Sequence, residues 1–388
     1  MEKEGFPVLL IANRSPADGE YHPQDREFIN RTYYLAEQGI SSYLLANIRA
    51  FFKTPRRYIK CVRLALALKD DFAFQKIENL KHLGGASLLA EYLRANKVSH
   101  VHVHFAFGAA SIAIFLNALT GIPYSLTIHG SDVLLPHPLT EEKLKRAKFI
   151  ISNCRFHIDN LRRRFVSLTR QQFHIIRIGL DLHSGPWSRV KPPENDPVFR
   201  ILNVARLEAV KAQDVLIKAC SALRDKGVDF QCRIVGEGPK REELNGLIED
   251  LALREYVELV GSCYESEVIN LYEWSHVVVL SSLSEGTPMT IIEAMAKARP
   301  VVVPRITALP EMIIDGKTGY FFEPGSVEDL TDKLVELALH PMLMSTMGDA
   351  GCQRAKKLFD LNVNIQKLMD ILADEVPSLG WKRKANLS

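Results

Sequence analysis

Residues 281–300 (SSLSEGTPMTIIEAMAKARP) carry two carboxylates, Glu285 and Glu293, on either side of a predicted helix start. Thr287 and Pro288 have the residue types of a helix N-cap and of the first helical position. Such a helix start presents free N–H groups and the positive end of the helix dipole, which suits a diphosphate. The segment therefore predicts an anion site. The simpler alternative is a capped helix with one hydrogen-bonded glutamate.

Two further segments place cations and glycines after predicted strands. Arg206 and Lys211 follow the strand over 199–204, and Gly236 and Gly238 follow the next strand. Ligands of doubly wound sheets bind beyond the carboxyl ends of the strands. Arg supplies a planar fork of donors and Lys a point charge, while Gly lets a backbone approach closely. We therefore predict a phosphate-bearing ligand at these strand ends.

The elements that must position these residues alternate between strand and helix patterns, which is typical of parallel sheets. Helical patterns cover, for example, residues 25–38 and 108–119, and Ser326 begins a capping-box pattern. The predicted strands span residues 7–12, 101–105, 124–128, 149–152, 173–178, 199–204, 229–235, 257–260, 277–280, 300–303 and 319–322.

The predicted fold is α/β, with two doubly wound Rossmann-like domains. The polar, Pro-rich segment 184–197 separates them. We expect an N-terminal domain over 1–190, a second domain over 191–355, and a helical segment over 356–388 that packs back on the first domain.

Composition excludes several classes of protein. The chain has 388 residues, 47% of them hydrophobic, which excludes a disordered chain. No run of about 18 apolar residues predicts a spanning helix. The six scattered cysteines lack CxxC pairs, which favours reduced thiols and a cytoplasmic location. The net charge of +3 divides into +10 for residues 1–190 and −7 for residues 191–388, which suggests different partners for the two halves.

The stretches ARLEAVKAQDVLIKAC, IVGEGP, EGTPMTIIEAMAKARPVVVP and GKTGYFFEPG resemble the retaining glycosyltransferases of family 4. The spacing of the two glutamates is that family's E-x7-E pattern. The resemblance implies the GT-B fold, in which two such domains face a cleft. It also implies that the domain over 1–190 is on the acceptor side and that the domain over 191–355 binds the nucleotide sugar. HxHF at 102–105, with GIP and RIGLD, favours the branch that builds bacterial exopolysaccharides.

The resemblance also implies roles for the site residues. Arg206 and Lys211 would hold the donor diphosphate, and Glu293 the ribose hydroxyls. Glu285 would contact the transferred sugar. Its neighbours Gly286, Thr287 and Pro288 would do so through the loop, with Gly236 lining the donor site. Ala212 departs from the family, which usually has Gly there, and we expect a small effect on the loop.

We expect no cofactor and no obligate metal, because Arg206, Lys211 and the helix start suffice to stabilise the leaving-group charge. No DxD motif is present. His100, His102 and His104 alternate along one strand and share a face, but no carboxylate or thiol is near them in sequence. They are interpreted as structural or family-pattern histidines, with a metal site as the less favoured alternative.

In the first half, His129 and Asp132 follow a predicted strand and resemble the family's TxHxxD segment. The resemblance implies that His129 lies against the donor sugar across the cleft and that Asp132 belongs to the donor site. The alternative is a capped strand-to-helix turn.

Basic and apolar residues are interleaved over Arg49–Lys69, and Arg56, Lys60 and Arg63 share one helical face. The pattern fits a helix at an anionic membrane surface, and equally an amphipathic helix packed on the domain core. No DNA-binding pattern accompanies the charge, so we expect no nucleic-acid partner.

The sequence thus predicts a hexosyltransferase that moves a sugar from a UDP- or GDP-sugar to a saccharide or lipid-linked acceptor, with retention. A GT-B-fold epimerase or phosphorylase is the alternative enzyme. A hydrolase is less favoured, because both glutamates would lie near the phosphates. A catalytically inactive sugar-nucleotide binder is the non-enzymatic alternative.

Overall fold

The structure is a computed structural model that describes residues 8–17, 25–68, 74–183, 186–190 and 197–377. The chain divides into two compact units. Unit 1 comprises residues 1–153, 157–176 and 365–388, and unit 2 comprises residues 154–156 and 177–364. Pro7, Lys69 and most of the segment 184–197 lie outside the described residues, as do residues 378–388 of the predicted helical segment.

Unit 1 is built on a parallel sheet of order β3-β4-β5-β6, and β1 and β2 form a separate parallel pair. Its strands are β1 (Ile11–Ala12), β2 (Tyr33–Tyr34), β3 (Val101–His104), β4 (Tyr124–Ile128), β5 (Ile150–Ser152) and β6 (Phe173–Ile175). The helices that begin before residue 177 are α1 (Arg26–Arg31), α2 (Ile40–Lys53), α3 (Pro55–Ala67), α4 (Gln75–Ala95), α5 (Gly108–Thr120), α6 (Gly130–Leu134), α7 (Thr140–Arg146) and α8 (Arg155–Arg164).

Unit 2 is built on a six-stranded parallel sheet of order β12-β11-β10-β7-β8-β9. Its strands are β7 (Phe199–Val204), β8 (Phe230–Val235), β9 (Val257–Gly261), β10 (Val277–Val279), β11 (Val301–Pro304) and β12 (Gly319–Phe322). The later helices are α9 (Gln213–Asp225), α10 (Arg241–Asp250), α11 (Glu265–Trp274), α12 (Met289–Ala296), α13 (Leu309–Met312), α14 (Val327–Leu339), α15 (Pro341–Leu358) and α16 (Leu361–Glu375).

Both faces of the unit 2 sheet are buried, which explains the continuous apolar runs of its strands. In β7, Ile201 belongs to the core layer on one face and Leu202 to the layer on the other, and neither is exposed to solvent. Ser326 caps α14 as expected, because its hydroxyl accepts a hydrogen bond from the Asp329 N–H at 3.2 Å.

The units meet along the chain at Ile176 and Arg177, whereas the sequence placed the boundary at 190. The residues after Arg177 group with unit 2 because Ile178, Leu180 and Leu182 pack against its core, in which Trp187 is buried. The predicted segment 356–388 is also divided. Leu358 and Phe359 pack in unit 2, whereas Met369 and Leu372 of α16, with Val376 just after it, share a core with Phe149 and Ile151 of unit 1.

The helix predicted over 25–38 is wrong in its second half. Helix α1 ends at Arg31, and Tyr33 and Tyr34 form a strand that pairs with Ile11 and Ala12. Aromatic residues favour strands, and the Tyr33 ring stacks on the Tyr92 ring at 4.2 Å between centroids. Tertiary contacts therefore override the local helical pattern.

Candidate active site

The residues singled out in unit 2 converge at the point where its strand order reverses. From β7 the chain proceeds outward to β8 and β9 on one side, and β10, β11 and β12 follow on the other. Arg206 and Lys211 follow β7, and Glu285 follows the adjacent β10. The crevice at such a switch point is where doubly wound sheets bind ligands.

Lys211 and Glu285 form a buried ion pair. The Lys211 Nζ lies 2.6 Å from the Glu285 Oε1, with side-chain exposures of 18% and 7%. The Ser282 hydroxyl donates to the same oxygen at 2.6 Å. A buried carboxylate is costly unless it is paired and hydrogen-bonded, and both conditions are met here.

The two loops that carry this pair are joined by hydrogen bonds. The Ser281 hydroxyl donates to the Lys211 carbonyl at 2.9 Å, and the Leu283 N–H donates to the Val210 carbonyl at 2.8 Å. From the next strand end, the Thr307 hydroxyl donates to the Glu285 carbonyl at 2.6 Å. These bonds fix the positions of Lys211 and Glu285 without any ligand.

Ala212 adopts a left-handed backbone with φ +47° and is 6% exposed. The left-handed conformation costs an L-residue about 1–2 kcal/mol, and glycine avoids that cost. The effect of having Ala in place of Gly is thus local strain at the end of the short turn Ala209–Lys211.

Arg206 differs from Lys211 in being accessible. Its side chain is 75% exposed, and its guanidinium lies 2.6 Å from a Glu208 carboxylate oxygen. Beside it, Gly236 has φ +137°, and a Cβ at this position would stand 2.0 Å from the Ala205 carbonyl oxygen. Gly236 therefore lets the ends of β7 and β8 approach closely. A side chain here would displace the backbone that leads to Arg206.

A cavity opens beside these groups and beside the start of α12. It is lined by Val204, Ala205, Arg206, Lys211, Leu280, Glu285, Pro288, Met289 and Thr290. The predicted cap is wrong by one residue, because Pro288 occupies the N-cap position and the helix begins at Met289. Gly286 and Thr287 lie in the preceding loop and are half-buried. The Thr287 hydroxyl is buried and has no hydrogen-bond partner among the described residues.

Glu293 lies on α12, and its carboxylate is bound by the hydroxyl of Tyr272 in α11. The fully buried Tyr272 hydroxyl donates to the Glu293 Oε2 at 2.8 Å. Burial raises the pKa of Glu293; the hydrogen bond from Tyr272 opposes this rise, and the nearby Glu265 adds to it. The carboxylate thus has one fixed oxygen.

In unit 1, His129 is the N-cap residue of α6, directly after β4, and Asp132 lies in the first turn of that helix. The Asp132 carboxylate is 1% exposed, and it accepts hydrogen bonds from the Ala106 and His129 N–H groups at 2.7 Å each. Burial raises the pKa of Asp132, and these two bonds oppose the rise. In this structure Asp132 therefore holds the turn, as the capped-turn alternative describes. Its role in donor binding stays a prediction.

His129 is neutral near pH 7. Burial, with a smaller contribution from the His104 ring, lowers its pKa to about 4. The Asn153 Nδ2 lies 3.1 Å from the His129 Nδ1, so that this ring nitrogen accepts and the proton is on Nε2. The Nε2 is buried and has no partner among the described residues. An unsatisfied buried donor costs about 1–3 kcal/mol, which a ligand acceptor would relieve.

The alternating histidines have structural partners. His102 lies 2.7 Å from the Ser125 hydroxyl through Nδ1 and 2.7 Å from the Thr127 hydroxyl through Nε2. The Nε2 of His100 also lies 2.7 Å from the Ser125 hydroxyl. Burial lowers the pKa of His102 to about 3 and that of His100 to about 4. No cluster of potential metal ligands is found within the described part of the chain.

Sequence reasoning missed the residues that hold the site. Ser282, Thr307 and Tyr272 fix the two glutamates, and Asn153 fixes the tautomer of His129. Only Ser282 had a local signal, since it precedes Glu285 by three residues. The others come from distant parts of the chain.

The comparisons with known proteins agree with this fold and site. Residues 32–184 match the family described as Glycosyltransferase Family 4, and residues 187–354 match Glycosyl transferases group 1. The chain is 26% identical over 301 residues to the amylovoran biosynthesis glycosyltransferase AmsK of Erwinia amylovora, covering 74% of this chain and 73% of that protein.

Solved structures show the same fold. A glycosyltransferase from Rickettsia africae superposes with a TM-score of 0.66 at 21% identity, covering 79% of this chain and 84% of that one. Anabaena HepE in complex with UDP superposes with a TM-score of 0.64 at 17% identity, covering 75% and 82%. The predicted pair of Rossmann-like domains is confirmed, and the protein is a glycosyltransferase. The family 4 model matches the N-terminal part of the chain and the group 1 model its C-terminal part, and the chain has the GT-B fold. The matches do not favour the epimerase alternative.

Proposed function

We propose that this glycosyltransferase moves a sugar from a nucleoside diphosphate sugar to a saccharide or glycolipid acceptor, with retention at the anomeric carbon. Unit 2 binds the donor and unit 1 binds the acceptor. The Lys211–Glu285 pair at the switch point carries the proposal, because it places a fixed cation and a fixed carboxylate beside a helix start. The similarity to AmsK and to a UDP-binding structure supports it.

The residues divide the chemistry between them. As the bond to the anomeric carbon breaks, negative charge grows on the leaving diphosphate, and Lys211, Arg206 and the amides at the start of α12 stabilise it. Glu285 accepts hydrogen bonds from hydroxyls of the transferred sugar. Glu293 holds the ribose hydroxyls through the oxygen that Tyr272 leaves open. Since protein cations neutralise the diphosphate, we propose that no divalent metal is required.

The test screens UDP- and GDP-sugars for hydrolysis and for transfer to saccharide and lipid-diphosphate acceptors, with and without EDTA and free phosphate. We expect one donor to be consumed equally well in EDTA, and proton NMR of the first product to show the donor's anomeric configuration. Inverted product, loss of turnover in EDTA, or strict dependence on phosphate would each contradict the corresponding part of the proposal.

We further propose that unit 1 binds an anionic membrane surface. Ile40, Leu44, Ile48 and Phe52 recur every four residues along α2 and are 80%, 61%, 53% and 75% exposed, which makes the outer side of this helix apolar. We call these four residues the α2 face. An exposed apolar stripe on a helix is typical of an interaction site.

The basic residues near the α2 face indicate what kind of surface it binds. Arg56, Lys60 and Arg63 of the adjacent α3 are exposed and form no ion pair with described residues. Arg49 and Lys53 of α2 share a single carboxylate, Glu91, at 3.2 and 3.7 Å. Apolar and unneutralised basic groups together fit an anionic lipid surface. No helix of the described ranges is both long and apolar enough to cross a membrane.

Co-sedimentation with phosphatidylcholine vesicles, with and without phosphatidylglycerol, tests this. We expect binding only to the anionic vesicles, reduced about tenfold by Phe52→Ser and weakened by salt. Met342→Ser removes an equally exposed apolar side chain (79%) from unit 2 and should bind like the unmodified protein. No binding at low salt, or equal loss in both variants, would refute the membrane proposal.

A further inference from the structure

Five aromatic side chains form a cluster at the carboxyl ends of β3 and β4: His104, Phe105, Phe107, His129 and His137. We call this set the aromatic cluster. The Phe105 and Phe107 rings stack at 5.3 Å between centroids with an interplanar angle of 16°. Phe105 also lies 4.3 Å from the His129 ring, and Phe107 lies 4.4 Å from the His137 ring. Both phenylalanines are 38% exposed, so core packing alone does not account for them.

The backbone of the aromatic cluster is strained. Phe105 has φ +66°, in the left-handed region that a bulky residue rarely adopts. Such strain persists only where surrounding contacts determine the conformation, and it concentrates at ligand sites.

A buried charged pair supplies those contacts. Ala106 follows Phe105, and both of its backbone polar groups are bound. Its N–H donates to the Asp132 Oδ1 at 2.7 Å, and its carbonyl accepts from the Lys143 Nζ at 2.9 Å. Asp132 and Lys143 are each 1% exposed. The other Asp132 oxygen accepts from the His129 N–H, so one network fixes both Phe105 and His129. Burying two charged groups has a large desolvation cost, which is unusual for a loop that serves only to connect elements at the surface.

One polar group of the aromatic cluster lacks a partner. The His129 Nε2 carries the ring proton and, within the described residues, nothing accepts it. The cluster thus offers two stacked apolar rings beside the neutral hydrogen-bond donor of His129. A pyranose has the complementary chemistry, because its C–H face is apolar with a slight positive charge, aromatic faces are negative, and its edge carries hydroxyls. The cluster contains no Lys or Arg side chain to favour a phosphate.

We propose that the aromatic cluster is a saccharide subsite in which the acceptor's sugar ring stacks on Phe105 and Phe107 beside His129. The identification of the bound sugar as the acceptor rests on the proposed function. Binding of a pyranose to the cluster can be measured without any turnover.

The test uses saturation-transfer NMR with methyl α-glucoside, methyl α-mannoside and methyl β-galactoside. We expect at least one glycoside to bind, and Phe107→Ala and Phe105→Gly to weaken that binding about two- to tenfold, the range of one aromatic contact. Phe107→Tyr keeps the ring and should restore binding. Calorimetric UDP binding should remain unchanged in all three variants, because UDP lacks the acceptor sugar.

Phe105→Gly also separates function from folding. Glycine relieves the left-handed strain, so we expect the midpoint of thermal unfolding to stay within a few degrees while glycoside binding falls. Phe74→Gly is the matched control, since Phe74 has φ +61° and is 76% exposed outside the cluster, and it should leave binding unchanged.

Absence of glycoside binding in the unmodified protein, or equal loss in Phe74→Gly, would overturn the subsite. If the cluster variants weaken UDP binding as well, the rings serve the donor and the acceptor assignment is wrong. If glycosides bind as expected but no sugar nucleotide turns over, the proposed function fails while the subsite stands.

Discussion

At the scale of single residues, an ion pair and a hydrogen bond hold the charged groups of the candidate site. Lys211 is paired with Glu285, and the Glu293 carboxylate accepts a hydrogen bond from the hydroxyl of Tyr272. Each functional group therefore keeps its position without paying the full cost of an isolated buried charge. Under the proposed function, binding of a diphosphate would give Lys211 a second anion and leave Glu285 available for a sugar hydroxyl.

Replacing both Lys211 and Glu285 should restore stability that either single replacement loses, but it should not restore activity. We expect Lys211→Met and Glu285→Gln each to lower the free energy of unfolding, by about 3–5 kcal/mol for a fully buried pair and less here because Lys211 is 18% exposed. The double variant should recover much of that loss, because no charge is then left unpaired. Urea unfolding measures both effects.

Measurements of activity should show whether the Lys211–Glu285 pair has a catalytic role or only a structural one. Because the proposed role of Lys211 is to stabilise charge in the transition state, turnover of the sugar nucleotide should fall about 100- to 1000-fold in Lys211→Met and in the double variant. Recovery of activity together with stability in the double variant would show that the pair only supports the fold.

The pKa of His129 predicts a pH dependence. The ring titrates near 6.5 in the unfolded chain and near 4 in the folded protein. The unfolded state therefore binds more protons below pH 6.5, so this residue lowers stability as the pH falls from about 6.5 towards 4 and has no effect above that range. NMR titration of the ring C–H signals should show a midpoint near 4. A midpoint near 6.5 would contradict the neutral donor assigned to Nε2.

At the scale of elements, strand ends and their loops determine the donor site. Strands β7 and β10 are neighbours although a long stretch of chain separates them, and this brings Lys211 next to Glu285. Gly236 at the end of β8 sets how closely the backbone approaches Arg206. The pattern of strands was readable in the sequence, whereas the order of strands across the sheet came from the structure.

Two backbone substitutions should have opposite outcomes. Gly236→Ala adds a Cβ 2.0 Å from the Ala205 oxygen and forces φ +137° on an alanine, so we expect weaker UDP binding and a lower unfolding temperature. Ala212→Gly relieves φ +47°, so stability should change by no more than about 1 kcal/mol with activity retained. Calorimetry with UDP and thermal unfolding measure both. If Gly236→Ala changed neither UDP binding nor the unfolding temperature, the close approach of Gly236 to the Ala205 carbonyl would not be needed for either.

At the scale of the whole molecule, neither unit is a continuous stretch of chain. Unit 1 is completed by α16 from Ile365 onward. Met369 and Leu372 of this helix, and Val376 after it, fill a core with Phe149 and Ile151. Residues 369–376 therefore belong to the core that supports β5. The apolar α2 face remains exposed in the same unit.

Leu372→Ala should destabilise the protein by about 2–5 kcal/mol, the cost of deleting a buried leucine side chain. Val363→Ala, in the same helix but 46% exposed, is the control and should cost about 0.5 kcal/mol or less. Urea unfolding followed by circular dichroism gives both values. Equal effects would mean that α16 does not complete the core of unit 1.

The sequence by itself determined the alternation of strands and helices, the parallel sheets and the family, because apolar period and short motifs are local properties. It also determined which residue types reach the strand ends. Only the tertiary structure decided their partners, since Lys211 and Glu285 lie 74 residues apart in the chain and Tyr272 and Glu293 lie 21 apart. It also decided that Phe105 is left-handed, because that conformation is imposed by buried Asp132 and Lys143 from other elements. Side-chain pairing and backbone strain depend on packing between distant segments, which no local pattern records.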